Sequence, residues 1–153
     1  MGWSSSEWAA SHEPSGGPGP GPKGWRARGD DLLVNARILV VEDEMLVAAL
    51  LEDRLAALGC RVIGPATAVA EALELLKAEE IDAAVLDVNI GGEKVFPVAD
   101  VLAARNIPFL FATAYGSAGV APPHNRREVL DKPYQTRALE HALRSALQSR
   151  QRH

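Results

Sequence analysis

Cysteine is nearly missing from this sequence of 153 residues. Cys60 is the single one, so an internal disulfide and a thiolate metal cluster are both excluded. A reducing compartment suits such a chain, and the cytoplasm is the expected location. Apolar runs are short as well, none approaching the ~20 residues of a membrane-spanning helix, so bilayer insertion is not expected. The N-terminus lacks a basic stretch followed by an apolar one, and nothing there reads as a secretory signal. Neither sign of charge dominates: 16 basic and 20 acidic residues are spread along the chain, for a net charge of -4. The electrostatic footprint of a nucleic-acid binder is missing, and no nucleic-acid partner is expected. The four histidines, His12, His124, His141 and His153, show no metal-ligand spacing.

What is present divides by composition. Residues 1–34 carry Ser4, Ser5 and Ser6, a Pro/Gly-rich string over 14–24, and few aliphatic side chains. Such a stretch buries too little to offset the entropy of ordering its backbone, so 1–34 is expected to be a disordered leader. Trp3, Trp8 and Trp25 all fall within it. A folded domain is expected over 35–150, with a tail of 151–153.

From Arg37 onward, short apolar runs alternate with amphipathic stretches, the pattern of β/α units around a parallel sheet. Strands are expected at 38–41, 62–64, 83–86, 109–112 and 128–130, each apolar on both faces as helix-covered strands must be. A first helix carries Leu46, Leu50, Leu51, Leu55 and Leu58, with Gly59 as its stop. Others are expected over 69–77, over 96–105 with Pro97 in the first turn, and over 137–149 with Thr136 as N-cap. Residues 115–127 contain Gly116, Gly119, Pro122, Pro123 and Asn125 and no apolar stripe, so no regular helix is expected there. The fold class is α/β, a doubly wound, flavodoxin-like five-stranded parallel sheet with its last crossover short or reduced to a loop.

Sites in open parallel sheets form beyond the carboxyl ends of the strands. Glu42 and Asp43 follow the first strand, Asp87 the third, Thr113 the fourth, and Lys132 the fifth. Three clustered acids repel one another unless a cation lies among them. Oxygen-only ligands suit Mg²⁺ rather than zinc. Lys132 would neutralise a remaining anion and Thr113 would donate a hydrogen bond to it, an arrangement suited to phosphoryl chemistry. Taken singly, Asp43 would also serve as a helix cap, Thr113 as a turn residue and Lys132 as a solvated surface charge. Cys60 reads as a small buried hydrophobe, and Arg126 and Arg127 as a solvated pair.

The strings Val40-Val41-Glu42-Asp43-Glu44, Leu86-Asp87-Val88-Asn89, Thr113-Ala114 and Lys132-Pro133 together resemble the response-regulator receiver domain over about residues 36–150. The run Pro108-Phe109-Leu110-Phe111-Ala112-Thr113-Ala114-Tyr115-Gly116 is similar to the stand-alone subgroup nicknamed FATGUY. That subgroup usually has glycine where Ala114 stands here, which stiffens the loop. The resemblance implies a phosphoacceptor rather than an enzyme. Asp87 would take a phosphoryl group from a sensor histidine kinase or phosphotransfer protein, and output would pass through protein contacts, a second response regulator among the candidates. Mg²⁺ would be held by Asp43, Asp87 and the backbone carbonyl of Asn89, with Glu42 helping through water. Thr113 and Lys132 would engage the phosphoryl oxygens, and the Lys132-Pro133 bond would be cis. General stress signalling is the associated role. Receivers often place Tyr or Phe three residues before the lysine, but Val129 stands here, leaving Tyr115 and Tyr134 as the nearby rings. Two other readings compete: a phosphorylation-independent adaptor of the same fold, and a flavodoxin-like cofactor binder or hydrolase. Against the last, no glycine-rich phosphate loop follows the first strand.

Overall fold

Alternate side chains of an extended strand point to opposite faces, so a strand apolar at every position needs cover on both sides. In the computed structural model of the chain, which describes residues 31–113, 127, 129–132 and 135–151, that requirement is met. Strands β1 (Arg37–Val41), β2 (Arg61–Ala66), β3 (Ala83–Asp87), β6 (Phe109–Thr113) and β7 (Val129–Asp131) form one sheet in the order β2-β1-β3-β6-β7, every neighbouring pair parallel. Between β3 and β6 lies a two-stranded hairpin of β4 (Asn89–Ile90) and β5 (Glu93–Lys94). Helices α1 (Met45–Ala57), α2 (Val69–Ala78), α3 (Phe96–Ala104) and α4 (Thr136–Gln151) cover the sheet. Leu39, Val41, Ala84, Leu86, Phe109 and Phe111 share one apolar cluster with α2 and α3. Their immediate neighbours Ile38, Val40, Ala83, Val85, Leu110 and Ala112 share the other with α1 and α4. This is the expected doubly wound five-stranded parallel sheet.

Several local expectations need correction. Asp87 and Thr113 are the last residues of their strands rather than the first beyond them, and β2 is six residues long, not three. The final strand is displaced one residue from 128–130, to Val129–Asp131. Thr136 is the first helical residue of α4, so the capping position falls outside it. In α1 the buried stripe is Ala48, Leu51 and Leu55, whereas Leu46 and Leu50 are 85% and 49% exposed. Leucine identity misled there, because apolar residues occur on several sides of that helix and a stripe drawn through all of them is too wide. Gly59 ends the helix as expected, with φ +91° and the backbone of Val34 3.4 Å from where a Cβ would sit. Of the expected irregular crossover at 115–127, all but Arg127 lies outside the described residues, as does the partner residue of the Lys132-Pro133 bond.

Buried contacts are already made before residue 35. Leu33 is fully buried in the α1/α4 cluster. Asp31 accepts a hydrogen bond from the Leu33 N–H at 3.0 Å, and its two carboxylate oxygens take Arg144 Nη1 and Nη2 of α4 at 2.7 and 3.3 Å. A leucine just after a polar stretch is easily counted with that stretch, although its side chain has a socket to fill. Leu33→Ala is expected to cost ~2–4 kcal/mol, read as a lowered midpoint in urea unfolding.

Cys60 is buried, as expected, in that same cluster. Burial, reinforced by the charge of Asp31 and partly offset by Arg144, pushes its thiol up to about 11 from an ordinary value of 9.0. The thiol is therefore protonated at neutral pH, and native protein at pH 8 is expected to resist alkylation that goes to completion in denaturant. Between pH 9 and about 11 the unfolded chain ionises while the folded one does not. Stability then falls as pH rises, by ~2–3 kcal/mol, and the Cys60→Ala variant should lack that component in pH-dependent unfolding curves.

Candidate functional site

Parallel pairing sets the site. Val41 lies opposite Leu86 in the ladder, which brings the residue after β1, Glu42, beside the end of β3 at Asp87. Asp87 in turn lies opposite Ala112 of β6, and Thr113 opposite Asp131 of β7, so Lys132 follows onto the same rim. Two main-chain bonds hold these exits: Glu42 N–H to the Ala66 carbonyl at 2.9 Å and Lys132 N–H to the Thr113 carbonyl at 2.9 Å. One carboxylate oxygen from each of Glu42, Asp43 and Asp87 lies within 4.8 Å of the others. All three sequence-predicted acids are therefore brought together, with Lys132 against two of them. Its Nζ donates to Glu42 Oε1 at 2.7 Å and to Asp87 Oδ2 at 3.1 Å. Thr113 is buried at the rim end of β6.

The three acids occupy different settings. The Glu42 side chain is 3% exposed, and burial pushes its carboxyl above the ordinary range, a tendency countered in part by the hydrogen bond from Lys132 and by the Glu44 N–H donating to Oε2 at 3.0 Å. Asp43 is exposed, and its Oδ2 accepts the Gly91 N–H at 2.8 Å. Its carboxylate does not cap α1, whose N-cap is Glu44 with no side-chain bond. Asp87 is partly open: Oδ2 is held by Lys132, and Oδ1 receives a long 3.4 Å contact from the Asn89 N–H. For Lys132, burial works against the charge, but the hydrogen bond to Glu42 and the charge of Asp87 outweigh it and hold the ammonium above its ordinary value. The lysine is thus a fixed cation in the mouth of the site at neutral pH.

Sequence reasoning missed the hairpin that touches this cluster. Gly91 and Gly92 form its two-residue tip with φ +58° and +87°, conformations that favour glycine. Gly-Gly between Asn89-Ile90 and Glu93-Lys94 was the available signal. Lys94 Nζ closes the hairpin onto Asn89 Oδ1 at 2.7 Å. The Asn89 carbonyl named as a ligand thus belongs to a structured turn beside Asp43 and not to an open loop. Arg127 lies with its guanidinium 4.3 Å from the Phe109 ring centre, away from this rim.

An oxygen-lined acidic mouth with a half-buried lysine, at the carboxyl edge of a doubly wound sheet, is the layout of a receiver-type α/β domain. The chain belongs to the response regulator receiver domain family, which it matches over residues 38–144. Among solved structures it is similar to SdrG from Sphingomonas melonis Fr1, with 44% identity and a TM-score of 0.66 over 76% of this chain and 98% of that one. The BeF3-activated conformation of SdrG from Pseudomonas melonis Fr1 matches with 45% identity and a TM-score of 0.64, over 74% and 98% of the two chains. The response regulator PhyR from Brucella abortus matches with 25% identity and a TM-score of 0.70, over 79% of this chain and 52% of that one. Among curated proteins, the transcriptional regulatory protein YvrH of Bacillus subtilis (strain 168) is 34% identical over 84 residues, 54% of this chain and 35% of that protein. The chain thus corresponds to about a third of that curated relative's length.

Proposed function

We propose that the domain accepts a phosphoryl group on Asp87 from a phosphohistidine of a sensor histidine kinase or phosphotransfer protein, and signals through protein contacts that depend on it. The observation that carries this reading is the meeting of three carboxylates within 4.8 Å with a lysine that donates to two of them. Lys132 fixes Asp87 Oδ2 and leaves Oδ1, with its 3.4 Å contact, as the oxygen presented for attack on phosphorus. The bond to the donor's imidazole nitrogen breaks as the new P–O bond forms. Lys132 then pairs with a phosphoryl oxygen, and Thr113 donates to another.

The donor set fits a hard divalent cation, since every side chain in the cluster offers oxygen and the cluster carries more acid than Lys132 alone can balance. Asp43, Asp87 and the Asn89 carbonyl would hold Mg²⁺, with Glu42 engaged through water. When bound, Mg²⁺ supplies charge neutralisation for the phosphoryl oxygens. Among the described residues no helix is long and apolar enough to cross a membrane, and the cytoplasm, where ATP-fuelled kinases act, is the proposed location. A stress-related role is supported by the similarity to PhyR, a stress response regulator, at 26% identity. The partner upstream is the sensor kinase or phosphotransfer protein that donates the phosphoryl group, and the partner downstream is another response regulator.

Acetyl phosphate with Mg²⁺ is expected to add about 80 Da to the intact protein, and chelation of the metal to suppress that gain. Asp43→Ala should remove the heat of Mg²⁺ uptake in calorimetry. A protein that takes up Mg²⁺ yet gains no mass would instead be an adaptor that uses this rim for docking.

A further inference from the structure

Helix α1 presents an apolar face to solvent directly beside the acidic rim. Met45 and Leu46 are 84% and 85% exposed and Leu50 is 49% exposed, the three large exposed hydrophobic residues among those described. Leu46 and Leu50 are one turn apart, with exposed Ala49 beside them, so they form one contiguous patch. Its borders carry three exposed acids, Asp43 and Glu44 at the helix start and Asp53 one turn beyond Leu50, against one base, the half-buried Arg54 next to Asp53, so the border is acidic on balance. An occupant of this patch needs a large apolar side chain among basic ones.

The chain contains such a segment. Residues 23–28 read Lys-Gly-Trp-Arg-Ala-Arg, an aromatic ring amid three basic side chains. We propose that this segment docks in cis on α1, with Trp25 over Leu46 and Leu50 and its basic neighbours toward Asp43, Glu44 and Asp53. Three observations support the assignment. Asp31 is anchored to Arg144, and Leu33 shares an apolar cluster with Leu51 and Leu55 of α1. Trp25 stands six positions before Asp31, a span of ~20 Å in extended chain, while the whole of α1 rises ~20 Å, so the chain is long enough to bring the ring to Leu50 and Leu46. The charges of segment and border are opposite, and the burial of a tryptophan against an open patch supplies the apolar gain. On the phosphotransfer reading, the cover would compete with any protein that docks beside Asp87, but the docking itself does not depend on that reading.

Methyl NMR of the full chain tests this without phosphorylation. Met45 is one of two methionines, so its ε-methyl signal is readily assigned. The Met45, Leu46 and Leu50 methyl signals are expected to be shifted by the ring in the parent protein. They should lose that shift in Trp25→Ala, in the combined Lys23→Glu, Arg26→Glu and Arg28→Glu variant, and at ~1 M salt, where the Debye length falls to ~3 Å. Trp3→Ala and Trp8→Ala should leave them in place. Superimposable methyl signals in parent and Trp25→Ala would overturn the proposal. So would a shift that follows Trp8, or one that survives Trp25→Ala and grows with protein concentration, which would mark a second copy as the occupant.

Discussion

Asp87→Asn is expected to abolish phosphoryl uptake completely, with no mass gain of about 80 Da from acetyl phosphate and Mg²⁺ after times that saturate the parent protein. The substitution keeps the shape of the side chain and its contact with Lys132, but an amide is not a nucleophile toward phosphorus. The fold should not suffer. Loss of the Asp87 carboxylate removes one of three mutually repelling charges, while Lys132 keeps its 2.7 Å bond to Glu42. Stability is therefore expected to hold or to rise by about 1 kcal/mol. A variant that unfolded would leave the loss of uptake unexplained by chemistry, so urea unfolding of the same sample is the companion measurement. Mass gain that persists in a folded Asp87→Asn protein would place the acceptor elsewhere.

Lys132→Met should act in the opposite sense, on the fold first. The side chains of Lys132 and Glu42 are 14% and 3% exposed, so removal of the ammonium strands a carboxylate that has little access to water. The expected cost at pH 7 is about 3 kcal/mol, the lower end for breaking a buried pair, because the rim is partly open. Its pH dependence identifies the cause. Burial already raises the Glu42 carboxyl, and loss of the hydrogen bond from Lys132 raises it further. A carboxyl higher in the folded than in the unfolded state binds a proton on folding, so the variant regains stability as pH falls through that folded value. Mg²⁺ should restore part of the loss at pH 7, since it too supplies the missing positive charge. Denaturation midpoints across pH 5 to 8, with and without the ion, measure both effects. A flat profile would mean that Glu42 turns outward to water when its partner is removed.

The parallel sheet was legible because both faces of each strand are buried, which makes the apolar runs dense and their order unambiguous. Leu39 and Val40 point to opposite layers, yet both had to be apolar. The rim residues followed from the same fact: whatever polar residue ends such a run must stand at the sheet edge, and Glu42, Asp87, Thr113 and Lys132 do. Less legible were features that depend on contacts rather than on period. Leu33 looked like the end of a polar leader because its socket is built by α1 and α4, far along the chain. The distinction between Leu50 and Leu51 depends on the rotation of α1 against the sheet, which neighbouring leucines do not encode. The bond from Gly91 to Asp43 joins residues 48 apart and has no local signature beyond the paired glycines.

The rings of β6 carry one more consequence. Phe111 meets Phe96 of α3 edge-on at 6.0 Å, Phe109 meets Phe111 in the same manner at 5.6 Å, and Arg127 lies over Phe109. Through these rings the strand that ends in Thr113 is tied to α3, while its backbone is laddered to β3 and β7 on either side. Ring-flip rates of the three phenylalanines would then register events at the mouth of the domain from within its interior, with no label attached and no swinging aromatic at Val129 required.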